Sequence, residues 1–310
     1  MVGSPNMAVN LGGIEMKNPL NTASGTFGAG AQFEGFFDPA ILGAITCKGC
    51  SAEPWQGNPS PRLWELPSGL MNSIGLQNPG VRGLIEEYGD YLRGLEAQGC
   101  RVICQVVGHS IDEYVASLEL FEELADFASG IEVNVSCPNI AQGGAAMGAT
   151  AQGAAEVVRA LRPRTTKPLI IKMAPTNVAE VARACEHEGA DALSLINTIP
   201  GMAIDTATRK SRVSRPTAGV SGPCIHAIAV ALVWEAHNAT SLPLCGIGGV
   251  SSAQDAAEFI LAGATAVSIG TAHLYDPTAA QRILPELEAW VVSQGVNDIN
   301  DLIGAFECEI

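Results

Sequence analysis

Eight short apolar runs, separated by longer amphipathic segments, constrain the fold of this chain more than any other feature. Several runs are apolar at almost every position, which is typical of parallel strands buried on both faces. The runs are Pro19–Ala23, Ala44–Lys48, Val102–Val107, Ile131–Val135, Leu169–Met173, Ala192–Ile196, Leu242–Gly246 and Ala266–Ile269. Eight such strands, with helices between most of them, predict an α/β fold that closes into a (β/α)8 TIM barrel.

The segments between these runs carry helical periodicity. Apolar residues recur at three- and four-residue spacing in Glu113–Phe127, and the pattern Ser252–Leu261 ends near Gly263. The same reading applies to Ala179–His187, Cys224–His237 and Ala280–Val292. A doubly wound open sheet is the alternative, and it fits less well because no G-x-G-x-x-G turn follows the first strand.

The 310 residues are expected to form a single domain over residues 1–310, because neither a linker nor a long repeat interrupts the pattern. Residues 1–6 are mostly small or polar and are expected to be disordered. Two long segments, Gly49–Gly80 and Thr198–Gly222, are expected to be loops without secondary structure that act as lids. Loops that follow the strands of a barrel form its active-site face, so the site is expected there.

Charge and cysteine usage narrow the class of protein. The net charge of −15 disfavours nucleic acid as a partner. No run approaches the roughly 18 apolar residues of a membrane helix, and no signal-peptide pattern is present, so no membrane association is expected. Nine scattered cysteines then indicate reduced thiols in a cytoplasmic protein. Cys47 and Cys50 form a lone C-x-x-C with no second pair at metal spacing, so no metal site is expected.

Two lysines lie where lysine is costly. Lys48 ends one apolar strand, and Lys172 lies within Ile170-Ile171-Lys172-Met173. A lysine buried in a strand needs an anion or a strong acceptor beside it. At the end of a barrel strand that partner is either a ligand or, alternatively, a carboxylate in a structural ion pair. Two such lysines on different strands favour an anionic ligand.

Glycines follow the last two strands. Gly248 and Gly249 come after one strand, Gly270 and Thr271 come after the next, and a helix follows each pair. The loops after the seventh and eighth strands of a barrel commonly bind phosphate through backbone N–H groups. Gly222, just before another helix, adds a further donor. Ordinary turn-forming glycine is the alternative, but two consecutive strand ends in this order favour a phosphate site.

The segment Asn134-Val135-Ser136-Cys137-Pro138-Asn139 closes a strand and opens a loop above the barrel. A cysteine there could be a base, a nucleophile or a buried thiol. A base needs only a suitable pKa and a short path to the proton. The flanking asparagines, with Asn72 and Asn197 from other loops, suit a planar, amide-rich, anionic substrate.

These residues belong to a longer series of motifs that resembles the class 1B dihydroorotate dehydrogenases, in their FMN-binding catalytic subunit. The resemblance runs from about Asn18 to the last helix. Its motifs are Asn21–Gly25, Thr46–Gly49, Asn58–Arg62, Asn72–Gly80, Asn134–Asn139, Lys172, Asn197-Thr198, Gly201–Asp205, Ser221–Pro223, Gly248-Gly249 and Gly270-Thr271.

The resemblance implies oxidation of (S)-dihydroorotate to orotate in pyrimidine biosynthesis. Cys137 is implied to remove the C5 proton while C6 passes a hydride to FMN, and Lys48 is implied to assist. The residues implied to bind FMN are Ala23, Ser24, Gly25, Lys48, Gly49, Gln105, Asn134, Lys172, Ile196, Gly222, Gly248, Gly249, Gly270 and Thr271. Those implied to bind the substrate are Lys48, Asn72, Ser73, Ile74, Gly75, Leu76, Asn134, Asn197 and Thr198.

Class 1B also implies an electron path that leaves this chain. The resemblance implies a partner subunit that carries FAD and a [2Fe–2S] cluster and reduces NAD+, with two copies of this chain forming a homodimer within a heterotetramer. One departure is Gln105, which stands where the family usually has an asparagine against the flavin. The alternatives are a flavin enzyme similar to dihydropyrimidine dehydrogenase and a non-redox barrel enzyme that uses a lysine as a Schiff-base amine.

Overall fold

Eight parallel strands form the centre of the computed structural model, which describes residues 4–136 and 147–308. We number them β1 to β8: Leu20–Thr22, Ala44–Thr46, Arg101–Val106, Gly130–Asn134, Leu169–Lys172, Ala192–Leu195, Leu244–Ile247 and Ala266–Ile269. All eight predicted strands are present, with ends that agree to within two residues. Their neighbour order is β1-β8-β7-β6-β5-β4-β3-β2, as in a TIM barrel.

The barrel closes between β1 and β2. The backbone N–H of Gly43 donates to the carbonyl of Leu20 at 3.0 Å, and the amide of Asn21 donates to the Thr46 hydroxyl at 2.9 Å. The Thr46 N–H also donates to the hydroxyl of Thr22 at 3.2 Å. These bonds join the two ends of the hydrogen-bonded run of strands, so the predicted TIM barrel is confirmed.

Within the described residues, seven longer helices surround the strands. We number them α1 to α7: Gly80–Ala97, Ile111–Leu124, Ala151–Leu161, Val178–His187, His226–His237, Ala253–Leu261 and Ala279–Ser293. All five predicted helices are present, and Ser252 caps α6 in a capping box with Asp255, as its sequence favours. No helix is predicted from the sequence for α1 or α3, although both segments are amphipathic. Both contain glycine, which lowers helix propensity.

The two long segments above the barrel are not free of secondary structure, so that expectation is wrong. They pair into a four-stranded antiparallel sheet, here called the cap sheet, in the order Ile199–Gly201, Ala218–Ser221, Gly69–Asn72 and Leu63–Leu66. A second ribbon joins Ile204–Asp205 to Lys210–Ser211. Two of its pairings are local, between Leu63–Leu66 and Gly69–Asn72 and between Ile199–Gly201 and Ala218–Ser221. Only the central pairing joins segments more than a hundred residues apart in the chain, so the complete sheet has no local signature.

The opposite end of the barrel is covered by a hairpin of Val9–Leu11 and Ile14–Met16. Its turn glycine, Gly12, has φ of +61°, and a Cβ there would lie 2.4 Å from a backbone oxygen that precedes β6. The N–H of Asn6 donates to the carbonyl of Asn297 at 2.8 Å. The disorder expected for residues 1–6 stays a prediction, and residues 1–3 lie outside the described part of the chain.

Short helices complete the fold. They are the α-helical turns Ser24–Phe27 and Ala272–Tyr275 and the 3-10 turns Ala31–Phe33, Pro39–Ile41, Met147–Ala149, Arg162–Arg164, Pro223–Ile225 and Ile299–Leu302. Within residues 4–136 and 147–308, we find no helix long and apolar enough to cross a membrane.

Candidate active site

A cavity of about 380 Å³ lies at the carboxyl ends of the strands, between the barrel and the cap sheet. Its size and its mixture of apolar walls with a few polar groups are typical of a site for a small organic ligand. The predicted site residues that line it are Ala23, Ser24, Gly25, Lys48, Asn72, Ser73, Ile74, Gly75, Leu76, Gln105, Asn134, Lys172, Ile196, Asn197, Thr198, Gly222, Gly248, Gly249, Gly270 and Thr271. The fold therefore brings residues from all eight strand ends and both long segments to one place.

Two predicted site residues are not in that lining. Cys137 lies outside the described residues, as does Asn139. Gly49 is buried just behind the lining, where a Cβ would lie 2.3 Å from the side-chain oxygen of Gln105. The space that a side chain at residue 49 would take is thus occupied by Gln105, which does line the cavity.

Lys172 is the buried cation of the cavity. It ends β5, only 6% of its surface is exposed, and it pairs in register with Asn134 on β4. Within the described residues its ammonium has neither an ion pair nor a hydrogen bond to a side chain or backbone group. A buried ammonium without a partner is costly, so the site favours a ligand that brings negative charge or a strong acceptor.

Lys48 is half-buried and lines two cavities. The second is an open cleft of about 460 Å³ on the side of Trp55 and Tyr88. Trp55 stacks on His109 with ring centroids 3.9 Å apart. Lys48 therefore forms part of the wall that separates the closed site from this cleft.

The asparagines form a connected group. The Asn134 side-chain oxygen accepts from the hydroxyl of Ser136 at 2.9 Å and from the amide of Asn197 at 3.3 Å. The same Asn197 amide donates to the Ser136 hydroxyl at 2.6 Å, and its carbonyl accepts from the N–H of Thr198 at 2.8 Å. These bonds fix the orientation of both amide groups before any ligand binds.

The glycine-rich corner has backbone geometry that other residues rarely adopt. Gly249 has φ of +71°, and a Cβ there would lie 2.8 Å from the Gly222 carbonyl oxygen. Gly248 has φ of +145°, and its carbonyl lies 2.9 Å from Nδ1 of His226. The hydroxyl of Thr271 donates to that of Ser221 at 2.8 Å. The corner is thus a cradle of backbone that substitution would fill, as in phosphate sites of barrels.

Several supporting residues could not be singled out from the sequence. Asn58, named only as part of a motif, holds the lining loop because its N–H donates to the Ile74 carbonyl at 2.9 Å and its amide to the Ser73 hydroxyl at 3.1 Å. Arg215 in turn donates to the side-chain oxygen of Asn58 at 3.0 Å. His226 supports the Gly248 turn. The sequence shows that polar side chains lie near the glycines of these loops. It does not show which groups they hydrogen-bond to.

Beneath the cavity, the barrel interior is polar where most barrels are apolar. Burial raises the pKa of the Cys245 thiol on β7 to about 11, and among the charges nearby Glu132 raises it further while Lys172 lowers it. Hydrogen bonds link this layer across the strands. Its members are Asn21, Thr46, Glu132, Ser194, Cys245 and Ser268.

The C-x-x-C pair is a pair of buried thiols. A hydrogen bond with the Cys104 thiol, together with burial, raises the pKa of Cys47 well above its ordinary value. Burial raises the pKa of Cys50 to about 12 against the opposing charge of Lys48. Thiols with raised pKa values are poor nucleophiles. Within the described chain, no group of three or more histidine, cysteine or acidic residues could hold a metal ion.

In TIM barrels the active site lies at the carboxyl ends of the strands, which is where this cavity lies. The fold and the cavity thus define the chain as a TIM-barrel enzyme. Comparison with known proteins then specifies the family. The family model described as dihydroorotate dehydrogenase matches residues 6–291.

Curated relatives agree with this match over nearly the whole chain. Three of them are each named "Dihydroorotate dehydrogenase B (NAD(+)), catalytic subunit". The protein of Citrifermentans bemidjiense is 47% identical over 305 residues, which cover 98% of this chain and 99% of the relative. That of Geotalea daltonii is 46% identical over 308 residues, covering 99% and 100%. That of Desulforamulus reducens is 45% identical over 302 residues, covering 97% and 98%.

The chain belongs to the dihydroorotate dehydrogenase family, which confirms the resemblance of its motifs and its assignment as an oxidoreductase.

Proposed function

We propose that this chain is the FMN-binding catalytic subunit of a class 1B enzyme that oxidises (S)-dihydroorotate to orotate, with NAD+ as the final acceptor. The observation that carries this proposal is the convergence of the expected FMN and substrate residues on one cavity. The relatives' name, "Dihydroorotate dehydrogenase B (NAD(+)), catalytic subunit", supports the choice of substrate and acceptor. Both alternatives, the dihydropyrimidine dehydrogenase-like enzyme and the Schiff-base enzyme, lack such support.

The residues of the cavity fit FMN. The glycine cradle of Gly222, Gly248, Gly249 and Gly270, with Thr271, would hold its phosphate, and the Lys172 ammonium would stabilise negative charge on the bound group. Ala23, Ser24, Gly25 and Ile196 supply the remaining contacts. When bound, FMN supplies the hydride acceptor that the side chains of this protein lack. A fixed positive charge in a buried site stabilises developing charge more than the same group would in water.

The substrate is held by other residues that line the cavity. Lys48 binds its carboxylate, and the amides of Asn72, Asn134 and Asn197 bind the polar edge of the ring. Because Asn134 and Asn197 are already fixed by hydrogen bonds, their donors and acceptors are preorganised for a planar ligand. Ser73, Ile74, Gly75, Leu76 and Thr198 shape the rest of the pocket.

Cys137 is the proposed base, which takes a proton from C5 of the substrate. It follows directly on Ser136 in the sequence, and the Ser136 hydroxyl bonds to the side chains of Asn134 and Asn197. A cysteine base must be deprotonated to act. The cysteine then passes its proton to solvent.

The electron path continues on a second protein. We propose that the partner subunit carries FAD and a [2Fe–2S] cluster and passes electrons to NAD+, and that two copies of each subunit form a cytoplasmic heterotetramer around a homodimer of this chain. The words "catalytic subunit" in the relatives' name support a separate partner. Co-purification of the two gene products in equal amounts, followed by light scattering, tests this arrangement.

Replacement of Cys137 tests the mechanism. The flavin-loaded Cys137→Ala protein is expected to bind orotate as the wild type does and to be reduced by dihydroorotate about 10³-fold more slowly, since general base catalysis contributes about 10²–10⁴-fold. Reduction at the wild-type rate would refute the assignment of the base. Dihydrouracil, which lacks the carboxylate, should be oxidised far more slowly than dihydroorotate, and equal rates would favour the dihydropyrimidine dehydrogenase-like alternative.

A further inference from the structure

Glu132 is a buried carboxylate inside the barrel, directly below the cavity. It lies two residues before the lining residue Asn134 on β4, so both side chains point inward, and only 3% of its surface is exposed. Within the described residues it forms no ion pair with lysine or arginine. Burial of such a group is costly unless its oxygens are hydrogen-bonded.

Both oxygens of Glu132 are occupied, each by a different strand. Oε2 accepts from the Ser194 hydroxyl on β6 at 2.6 Å, and Oε1 accepts from Nε2 of Gln105 on β3 at 2.5 Å. Gln105 and Glu132 are also partners in the strand register. Since this carboxyl oxygen accepts from Nε2, the nitrogen end of the Gln105 amide faces Glu132.

The other end of the same amide occupies the space in front of Gly49. A Cβ at residue 49 would lie 2.3 Å from Oε1 of Gln105, so a side chain there would displace this oxygen. Within the described part of the chain, neither that oxygen nor the second Nε2 hydrogen has a hydrogen-bond partner. Gln105 lines the cavity, so both groups remain available to a ligand.

We propose that Glu132 is a positioning residue for cofactor binding, which holds the Gln105 amide in one orientation against Gly49 so that its free polar atoms meet the FMN. The inference rests on the proposed FMN site. It also explains how this chain uses glutamine where the family usually has asparagine: the longer side chain reaches Glu132 and needs the space over Gly49.

A double-mutant cycle on FMN release tests the proposal. The holoprotein is diluted, and the recovery of free-flavin fluorescence gives the FMN dissociation constant. We expect Glu132→Gln and Gln105→Ala each to raise this constant about tenfold, as the loss of one hydrogen bond does. Because Glu132 acts through Gln105, the double variant is expected to match Gln105→Ala alone.

Two further variants keep the test independent of folding defects. Ser194→Ala removes the other hydrogen bond of the same carboxylate without touching Gln105, so its FMN dissociation constant should stay within about twofold of the wild type. Gly49→Ala forces the amide aside and should also weaken FMN about tenfold, but not when Gln105→Ala is already present. This second cycle applies even if Glu132→Gln does not fold.

The outcomes separate the inference from the function on which it rests. If the wild type releases no flavin because it binds none, the proposed FMN site is wrong. If the wild type binds FMN but Glu132→Gln and Gly49→Ala bind it equally well, the positioning role is wrong. Full additivity with Gln105→Ala, or an equal loss in Ser194→Ala, would also overturn it, because the residues would then act only on the stability of the barrel.

Discussion

Asn134 and Lys172 are register partners at the carboxyl ends of two adjacent parallel strands. The amide is fixed by Ser136 and Asn197, whereas the ammonium has no partner in the described residues. One site thus holds a preorganised neutral group beside a cation that forms no ion pair within the described residues. The Asn134 amide is thus suited to orient a ligand, and the Lys172 ammonium is suited to stabilise negative charge on it.

Replacing Lys172 should stabilise the empty protein and impair the loaded one. For flavin-free Lys172→Met we expect the free energy of unfolding to rise by about 1 kcal/mol, because a costly buried charge is removed. In the loaded protein the same change should slow reduction by dihydroorotate about 10²-fold. Urea unfolding and stopped-flow absorbance measure the two effects.

Lys167 provides the matched control. It lies 3.0 Å from Glu122 in an ion pair far from the cavity. Lys167→Met should lower the free energy of unfolding by up to about 1 kcal/mol and leave the reduction rate unchanged. Equal destabilisation by both substitutions would mean that the Lys172 ammonium has a structural partner.

Gly249→Ala should abolish FMN binding while the protein still folds. Its φ of +71° and the Gly222 oxygen 2.8 Å from a Cβ there leave no room for a side chain. Gly295 is the control, since it has φ of +75° but open space around a Cβ. Each alanine should cost about 1 kcal/mol of stability through its backbone. Flavin content after purification should fall only for Gly249→Ala, and flavin in both variants would refute the cradle.

His273 should make the protein less stable in acid. Burial lowers its pKa from 6.5 to about 4, although the Ile269 backbone and Asp276 oppose this shift, and the ring packs against Phe27, Phe33 and Phe37. The unfolded chain therefore binds the proton first as the pH falls below about 6.5. The contribution of this residue to the free energy of unfolding is fully present above that pH. It is lost progressively as the pH falls towards 4, by about 3 kcal/mol in total.

The His273→Phe variant should lose this part of the pH dependence. Urea unfolding at pH 7 and pH 4.5 measures it as the difference between variant and wild type. His187, whose side chain is 84% exposed, gives a control substitution, His187→Gln, that should leave the pH dependence unchanged. An unchanged slope in His273→Phe would mean that the ring is already protonated or solvated in the folded protein.

Thiol labelling should separate the cysteines by burial. Cys224 and Cys308 are exposed and should react with iodoacetamide in the native protein. The six other described cysteines are buried, including Cys47 and Cys50, and should react only after unfolding. Mass spectrometry of the digested protein identifies the labelled positions. Native labelling of Cys47 or Cys50 would contradict their role as packing thiols.

The barrel could be predicted from the sequence because its strands are buried on both faces and therefore appear as apolar runs. The cap sheet could not be predicted in this way, because its central pairing joins Leu70 to Ser221, which lies 151 residues away in the chain. Motifs carried over from the family identified most of the cavity lining. The supporting residues Glu132 and His226 were not predicted. Each supports the site through a hydrogen bond to a residue distant in sequence, Gln105 for Glu132 and Gly248 for His226, and the sequence does not show these pairs.

The proposed function is tested most directly by an anaerobic titration of the purified protein with dihydroorotate, followed by absorbance. A bound flavin should give its visible absorbance band, and dihydroorotate should bleach that band in proportion to the amount added. NAD+ should restore it only when the partner subunit is present. A colourless protein, or a flavin band that dihydroorotate does not bleach, would contradict the proposal that this chain is an FMN-dependent dihydroorotate dehydrogenase.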